Sequence, residues 1–425
     1  MKIEELYQLY LEYPNVQTDT RKLQAGDIYF ALKGDNFDGN KFAEAALKQG
    51  ASYAIIDDST YKFSDNCILV KDVLNTLQSL AAYHRAQLKI PFIAITGSNG
   101  KTTTKELIYT VLSSTYKTYA TEGNLNNHIG VPLTILKIKS DAQIAIIEMG
   151  ANHQKEIESY CLIAKPTHAI ITNCGKAHLE GFGGIEGVRK GKGELFDFMR
   201  MTKGIIFRNT DLDYLLAMSH GIAHQITYGT YEGQYRGKAI MQNDFLHVAI
   251  LNHQAETLIS TNLVGEYNFA NVMSAVAVGR EFSIGIDDIK KAIESYKPSN
   301  SRSQLIQMGS NVIILDAYNA NPSSMQLAIH NFASRDYPNK VVMLGAMKEL
   351  GAESIAEHEN IIKQLNENNW NHVVLVGGDF EMVKHEYLYF QDADEARVWF
   401  QQQSFQNTAI LIKGSRAYTM EKIIQ

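Results

Sequence analysis

A short glycine-rich segment, ITGSNGKTTTKE from Ile95 to Glu106, has the residue types that bind a nucleotide phosphate. Gly97 and Gly100 let backbone N–H groups approach an anion, and Lys101 adds a positive charge. Thr102 can cap the next helix and offer a hydroxyl to Mg²⁺. Only two residues separate the glycines, fewer than in the usual phosphate loop. A plain glycine turn is the alternative, but a strand-like run before it and a helical run after it favour a nucleotide site.

An Mg·ATP site also needs an anionic oxygen close to this loop. Glu148, which ends the apolar run QIAIIE, is the candidate, although a solvated carboxylate at a strand end is common. Ligands of open α/β sheets gather outside the carboxyl ends of the strands. The distinctive polar residues of this chain all follow apolar runs: Thr96, Glu148, Asn173, Asp316 and Lys413. We therefore expect one active face.

The elements that position these residues form an α/β chain. From Pro91, strand-like runs such as FIAIT, QIAIIE and HAIITN alternate with helical runs such as TTTKELIYTVLSS, which predicts a parallel sheet covered by helices. Residues 225–264 alternate apolar and polar side chains and predict a small antiparallel appendage. A second α/β series, with VIILDAY, KVVMLGA, HVVLVGG and TAILIKGS as strands, follows the polar segment 297–301.

The chain length of 425 residues predicts more than one domain. The first 85 or so residues mix short strands and helices, with DIYFAL and YAIID as strands and KFAEAALKQG as a helix. We place the domains at 1–85, 86–299 and 300–425.

Composition narrows the class of protein. A net charge of −6 argues against a general nucleic-acid binder, which would carry a basic surface. No apolar run approaches the roughly 18 residues of a membrane span, so we expect a cytoplasmic protein with no membrane or nucleic-acid partner. Three cysteines, Cys67, Cys161 and Cys174, are odd in number and far apart. They indicate neither a disulfide framework nor a zinc site.

Taken together, the motifs resemble the Mur ligase family, the ATP-dependent amide-forming enzymes of peptidoglycan precursor synthesis. The resemblance covers the chain from TDTRKLQAGDIYFALKGDNFDGNKF, which is similar to the family's UDP-binding module, to KGSR. It implies a small N-terminal α/β UDP-binding domain, a central parallel-sheet P-loop ATPase-like domain and a C-terminal Rossmann-like α/β domain. Between these ends lie TGSNGKTTTKE, GNLNNHIGVPLTIL, EMGANHQKEI, NCGKAHLEGFGGIEGVRKGKGELF, DAYNANPSSM and GAMKELG.

The resemblance also implies ATP, two Mg²⁺ ions and their ligands. Thr102 and Glu148 would hold the first ion, and His178 would help hold the second. Lys192 matches a lysine that family members carry as a carbamate; without the resemblance it is a solvated helix lysine. Lys101, Lys192, His178 and Glu148 are the implied catalytic residues. The implied ATP contacts in the loop are Gly97, Ser98, Asn99, Gly100, Lys101, Thr102 and Thr103. Asn268 and Asn271 would lie near the adenine, Arg302 toward the γ-phosphate, and Asp316 near the ribose.

Further matches imply substrate contacts. Thr20 and Arg21 would meet the UDP part of the substrate. Five asparagines would position substrate: Asn124, Asn126, Asn127, Asn319 and Asn321. Lys413, Ser415 and Arg416 are implied contacts of a substrate carboxylate, since arginine binds that group with two hydrogen bonds.

The chain departs from the family pattern at three positions. Tyr267 and Asn40 stand where the family has histidine, and Ala346 stands where it has aspartate, so no acidic role is assigned there. His84, His153 and His358 are interpreted as packing residues. His358 remains a weak substrate-side candidate because it lies close to KELG.

Details of the motifs, above all TTTKE and DAYNANP, indicate the family member that joins D-alanyl-D-alanine to UDP-N-acetylmuramoyl-tripeptide through an acyl phosphate, releasing ADP and phosphate. We expect a monomer. Three alternatives stay open: a Mur-type ligase that adds diaminopimelate or lysine to the UDP-dipeptide, a folylpolyglutamate synthase, and a nucleotide-gated binding protein without ligase turnover.

Overall fold

The computed structural model describes residues 1–251, 256–298 and 301–425. Three α/β units follow one another along the chain, each built on its own mainly parallel sheet. The predicted boundary between residues 299 and 300 lies outside the described residues. Within the described ranges, no helix is long and apolar enough to cross a membrane.

The N-terminal unit has a four-stranded parallel sheet in the order β1-β2-β5-β6 and a short hairpin, β3-β4. Its strands are β1 Val16–Gln17, β2 Ile28–Phe30, β3 Lys33–Gly34, β4 Phe37–Asp38, β5 Tyr53–Ile56 and β6 Cys67–Leu69. Its helices are α1 Ile3–Glu12, α2 Ala43–Lys48 and α3 Val73–Gln87. The predicted boundary between residues 85 and 86 falls near the end of α3, which also packs on helices of the central unit.

The central unit has a sheet in the order β15-β14-β13-β12-β11-β10-β7-β9-β8. Its strands are β7 Phe92–Thr96, β8 Thr118–Ala120, β9 Ile144–Glu148, β10 His168–Ile171, β11 Ile205–Asn209, β12 His224–Gly229, β13 Tyr235–Gln242, β14 Phe245–Leu251 and β15 Glu256–Ser260. Its helices are α4 Lys101–Ser113, α5 Gly130–Leu136, α6 Glu156–Ala164, α7 Leu179–Phe182, α8 Ile185–Thr202, α9 Asp213–Met218, α10 Phe269–Glu281 and α11 Ile286–Ser295.

The strand order places a topological switch point beside β7. This strand lies between β9 and β10, so successive crossovers leave it toward opposite edges of the sheet. All five residues of β7 are buried because helices cover both faces. A crevice opens at such a point, and the glycine-rich segment follows β7 directly.

The antiparallel appendage predicted for residues 225–264 is not a separate unit. β12 pairs parallel with β11, and β13 pairs with β12, so these strands continue the central sheet. Within the described part of this sheet, the antiparallel pairs are β13 with β14 and β14 with β15. The prediction of a separate unit was wrong. Helix α10 packs on β12 and β13 and joins them to the central core, whereas alternation in the sequence does not show which sheet a strand joins.

The C-terminal unit has a sheet in the order β16-β17-β21-β18-β19-β20, parallel except for β16. Its strands are β16 Gln304–Met308, β17 Asn311–Asp316, β18 Asn339–Gly345, β19 His372–Val376, β20 Leu388–Phe390 and β21 Thr408–Lys413. Its helices are α12 Pro322–Ala333, α13 Ser354–Asn366 and α14 Ala393–Gln402. Since β17 and β21 are neighbours, the polar residues that end them meet.

Candidate active site

A cavity of about 520 Å³ lies between the central and C-terminal units, at the carboxyl ends of β7, β9 and β17. Most of the predicted site residues line it. From the central unit these are Ser98, Asn99, Gly100, Lys101, Thr102, Thr103, Asn124, Asn126, Asn127, Glu148, His178, Asn268 and Asn271, and from the C-terminal unit Arg302, Asp316, Asn319, Asn321 and Lys413.

Hydrogen bonds to the end of β10 hold the glycine-rich loop in place. The backbone N–H of Ser98 donates to the Asn173 carbonyl at 2.9 Å, and that of Asn99 donates to Asn173 Oδ1 at 3.0 Å. Thr172 Oγ1 donates to the Asn99 carbonyl at 2.6 Å. The loop shape is therefore set before any ligand binds, and it opens onto the first turn of α4, whose N–H groups lack partners within the helix.

Both loop glycines are required by this packing. Gly97 has φ +146°, and a Cβ added there would lie 1.9 Å from Thr172 Oγ1. Gly100 has φ +80°, and its added Cβ would lie 2.6 Å from Asn271 Oδ1. Any other residue would meet both strain and a clash at these positions.

Glu148 and Thr102 form the polar floor of the cavity. Thr102 Oγ1 donates to Glu148 Oε2 at 3.0 Å, and Asn126 Nδ2 donates to Glu148 Oε1 at 2.8 Å. Glu148 is almost fully buried. One carboxylate and one hydroxyl beside a phosphate loop suit Mg²⁺, which takes few protein ligands and completes its shell with phosphate and water. Among the described residues, no three His, Cys, Asp or Glu side chains cluster as a metal site.

Lys101 lies among other charges at the cavity wall. Its Nζ donates to the Gly97 carbonyl at 2.7 Å, folding back over the loop. Burial lowers the pKa of Lys101, Glu148 opposes that shift, and Arg302 adds to it. Arg302, a cation from the C-terminal unit, lines the same cavity as Lys101.

Lys192 lies behind the cavity wall, on α8. It is 1% exposed, and its Nζ donates to the carbonyl of Ala151 at 2.9 Å. Burial, with the nearby charge of Lys101 as the next cause, lowers the pKa of Lys192 to about 7. A large share of Lys192 is therefore an uncharged amine near neutral pH, the form that attacks CO₂.

His178 begins α7 with φ +52° and lines the cavity. Its Nδ1 contacts the carboxylate of Glu349, in the KELG segment of the C-terminal unit. The contact with His178 lowers the pKa of Glu349. In this arrangement His178 joins the two units, and a role in metal binding would require that contact to change.

The two predicted adenine contacts, Asn268 and Asn271, are both buried and bonded to each other. Asn271 Nδ2 donates to Asn268 Oδ1 at 2.8 Å, and Thr104 Oγ1 donates to Asn271 Oδ1 at 3.1 Å. Asn268 Nδ2 donates to the Val264 carbonyl at 2.9 Å. The pair thus ties α10 to the helix that follows the phosphate loop.

In the C-terminal unit, Asp316 and Lys413 form an ion pair. Lys413 Nζ donates to Asp316 Oδ2 at 2.7 Å and to the Asn319 carbonyl at 3.2 Å. The Lys413 side chain is 2% exposed. The resemblance assigns Asp316 to the ribose and Lys413 to a substrate carboxylate, whereas the structure pairs the two side chains with each other.

The remaining predicted asparagines shape the loops around the cavity. Asn127 Oδ1 accepts from the backbone N–H of Gly130 at 2.8 Å, at the start of α5. Asn319 Oδ1 accepts from the backbone N–H of Ala320 at 2.9 Å. Asn321 caps α12 and also bonds to Asn99. Asn124 lines the cavity from the loop before α5.

Six predicted residues do not line the cavity. Thr20 and Arg21 are in the N-terminal unit, where Arg21 is exposed and bonds to Asp19. Ser415 is buried behind the end of β21, and Arg416 pairs with Glu421 at 2.9 Å. Gly97 and Lys192 contact cavity residues from behind.

Sequence reasoning missed Tyr318 and Thr172. Tyr318 lines the cavity, and the Arg302 guanidinium carbon lies 3.5 Å from its ring centroid. Thr172 holds the phosphate loop. Both residues lie close to polar residues at strand ends, Asp316 and Asn173, and this proximity could have identified them. His358 is fully buried and its Nε2 accepts from the Met347 backbone N–H, so it serves packing.

Family models match most of this chain. They are described as "Mur ligase family, catalytic domain" for residues 12–85, "Mur ligase middle domain" for residues 95–279 and "Mur ligase, glutamate ligase domain" for residues 301–416. The UDP-N-acetylmuramoyl-tripeptide–D-alanyl-D-alanine ligase of Bacillus subtilis (strain 168) is 33% identical over 425 residues, covering 96% of this chain and 92% of that relative.

The chain belongs to the Mur ligase family. The enzyme of the same name from Escherichia coli (strain K12) is also 33% identical, over 96% of this Mur ligase and 92% of that relative. The predicted family is confirmed.

Solved Mur ligases share the fold. MurF from Acinetobacter baumannii has a TM-score of 0.87 at 30% identity, covering 96% of this chain and 92% of that one. MurF ligase from Thermotoga maritima, in complex with ADP, has a TM-score of 0.87 at 27% identity and covers 97% of each chain. The predicted fold class is confirmed.

Proposed function

We propose that this Mur ligase joins D-alanyl-D-alanine to UDP-N-acetylmuramoyl-tripeptide and releases ADP and phosphate. The relatives with this name cover the chain nearly end to end. The observation that carries the proposal is one cavity in which the phosphate loop of the central unit faces Arg302 of the C-terminal unit. Such an arrangement encloses a triphosphate from both sides.

The chemistry needs ATP because a carboxylate has no adequate leaving group. An oxygen of the terminal carboxylate of the tripeptide attacks the γ-phosphorus, the bond to the β–γ bridging oxygen breaks, and ADP leaves. The amine of the dipeptide then attacks the acyl carbon and loses a proton, and phosphate departs. The protein supplies no nucleophile; it positions the reactants and stabilises the developing negative charge.

The described residues fit these tasks. Lys101 and the first turn of α4 would face the phosphates, and Arg302 would approach them from the C-terminal unit. Thr102 and Glu148 would hold Mg²⁺, which neutralises phosphate charge when bound. Asn268 and Asn271, next to the helix that begins at Lys101, would contact the base and nearby groups of ATP.

We extend the proposal to a second ion held by His178 and by Lys192 as its carbamate. An ammonium cannot bind a cation. The uncharged amine adds to CO₂, forming an N–C bond and releasing a proton, and the product carries anionic oxygens. The lowered pKa of Lys192, about 7, supports that reaction.

The residues assigned to the substrates belong to the same proposal. The N-terminal domain, 1–85, would bind UDP through Thr20 and Arg21. The central domain, 86–299, would bind ATP, and the C-terminal domain, 300–425, would bind ATP and the dipeptide. The proposed dipeptide contacts are Lys413, Ser415 and Arg416, and the proposed substrate amides are Asn124, Asn126, Asn127, Asn319 and Asn321. We propose a cytoplasmic monomer.

An ADP-release assay tests the function. The purified chain is given ATP and Mg²⁺ with each pairing of UDP-dipeptide or UDP-tripeptide and D-alanyl-D-alanine, diaminopimelate or lysine. We expect turnover only with UDP-tripeptide and D-alanyl-D-alanine. Turnover with UDP-dipeptide and a single amino acid would assign another Mur reaction, and nucleotide binding without turnover in any pairing would reject ligation.

A further inference from the structure

The guanidinium group of Arg302 lies over an aromatic ring. Its guanidinium carbon is 3.5 Å from the ring centroid of Tyr318, and both residues line the cavity. Stacking of this kind attracts the cation to the ring face and fixes the plane of the guanidinium. Among the described residues, the buried Nε of Arg302 has no hydrogen-bond partner. Contact with the Tyr318 ring therefore helps to hold this side chain in place.

The backbone on each side of Arg302 is bonded to the same loop that carries the ring. The Tyr318 N–H donates to the Ser301 carbonyl at 3.2 Å, and the Ser303 N–H donates to Asp316 Oδ1 at 3.3 Å. Ser301 and Ser303 have φ +54° and +49°, in the region that favours glycine. Strain of this size persists only where surrounding contacts enforce it, and it concentrates at functional sites.

Contacts across the cavity hold the segment around Arg302 against the central unit. Ser303 Oγ and the hydroxyl of Tyr267, in the central unit, share a hydrogen bond of 3.0 Å. Arg302 and Lys101 line the same cavity, one from each unit. Two cations that face one cavity from opposite walls repel each other unless an anion lies between them.

We propose that Tyr318 is a positioning residue that holds the Arg302 guanidinium toward the terminal phosphate of bound ATP. The identity of the reaction rests on the proposed function, whereas the effect of Tyr318 on triphosphate binding can be tested without it. Tyr318 acts on the nucleotide only through Arg302, so its ring matters and its hydroxyl does not.

Nucleotide discrimination tests this role without turnover. Dissociation constants for ADP and for a non-hydrolysable ATP analogue, each with Mg²⁺, are measured by calorimetry for the wild type, Y318L, Y318F and the exposed-tyrosine control Y231L. We expect Y318L to weaken the ATP analogue about tenfold while ADP binding stays within about twofold. Y318F should match the wild type. Equal weakening of both nucleotides, or no change in either, would overturn the inference.

A double-mutant comparison separates this role from a general structural one. In the R302A background, adding Y318L should cost no further affinity for the ATP analogue, because the group that Tyr318 positions is gone. A further tenfold loss in that background would show that Tyr318 acts independently of Arg302. If Y318L does not fold, as judged by circular dichroism, Y318M provides the same comparison.

Ligation assays distinguish the failure of this inference from failure of the proposed function. With UDP-tripeptide and D-alanyl-D-alanine, Y318L should lower kcat about tenfold and leave the KM for D-alanyl-D-alanine unchanged. If the wild type discriminates ATP from ADP through Tyr318 but does not ligate, the proposed function is rejected and the role of Tyr318 is kept. If the wild type ligates and Y318L behaves like it, the role of Tyr318 is rejected and the proposed function is kept.

Discussion

The side-chain amides of Asn99 and Asn321 bond to each other across the interface between the central and C-terminal units. Asn321 Nδ2 donates to Asn99 Oδ1 at 2.7 Å, and Asn99 Nδ2 donates to Asn321 Oδ1 at 3.4 Å. One amide belongs to the phosphate loop and the other caps α12. The loop that would hold ATP is thereby connected to the unit that would close over it.

The N321S variant tests this connection. Serine still caps α12, so we expect the melting temperature to stay within a few degrees of the wild type. It cannot reach Asn99, so ADP release with both substrates should slow about three- to tenfold, from the loss of one or two hydrogen bonds. N99A should slow turnover to a similar extent. Wild-type turnover in both variants would show that the amide pair does not contribute.

G97A should abolish tight nucleotide binding. The added Cβ would meet Thr172 Oγ1 at 1.9 Å and the φ of +146° is unfavourable, so the loop must move. We expect ADP affinity to fall more than tenfold and the free energy of unfolding to fall by about 1–3 kcal/mol. Gly309 is the matched control, since it also has positive φ but no atom within 4 Å of an added Cβ. If G309A lost as much ADP affinity as G97A, the loss in G97A could not be attributed to the clash with Thr172.

Lys101 and Lys192 should both be needed for ligation, for different reasons. K101A removes the phosphate-facing charge, and we expect turnover to fall about a hundredfold or more. K192A removes the proposed carbamate, and a short carboxylate or chloride added to the buffer should restore part of its turnover. The additive should not help K101A. Full activity of either variant in the ADP-release assay would reject the assigned role.

The buried ion pair of Asp316 and Lys413 should behave as a unit in stability measurements. D316A leaves the Lys413 ammonium buried with only carbonyl partners, so we expect a loss of about 3 kcal/mol in the free energy of unfolding. The double variant D316A/K413M removes both charges and should recover much of that loss. Urea unfolding of the single and double variants gives the coupling free energy between the two charges. Additive losses would show that the two charges do not interact.

His168 should make the protein acid-sensitive. Burial lowers its pKa from 6.5 to about 4, so between these values the unfolded chain binds a proton that the folded chain does not. Stability is therefore lost as the pH falls from about 6.5 to 4, by about 3 kcal/mol from this group. H168Q should lose less stability than the wild type over the same pH range. Equal pH dependence of the two would show that His168 does not contribute.

Much of the central architecture could be predicted, because buried parallel strands are continuous apolar runs and each candidate ligand follows one. Thr102 and Glu148 meet for that reason. The pairing of Asp316 with Lys413 depends on β17 and β21 being neighbours, and strand order depends on crossovers that leave no local pattern.

Two other features were missed for different reasons. Helix α3 was not predicted, although Leu77, Leu80 and Ala81 have helical spacing and are buried. Tyr318 was missed because a single aromatic residue in a loop has no periodicity, and its proximity to Asp316 does not reveal its contact with Arg302, 16 positions earlier in the chain.

The extension of the central sheet by β13 and β14 has a mechanical consequence. The turn between these strands carries Asp244, which pairs with Arg335 of the C-terminal unit at 2.8 Å. Lys176, near the phosphate loop, pairs with Glu357 at 2.5 Å. These ion pairs add to the contacts of Asn99 with Asn321, His178 with Glu349 and Tyr267 with Ser303 across the same interface. Because several contacts join the two units, rotation of the C-terminal unit about any one of them must break others, and we expect the interface to resist twisting.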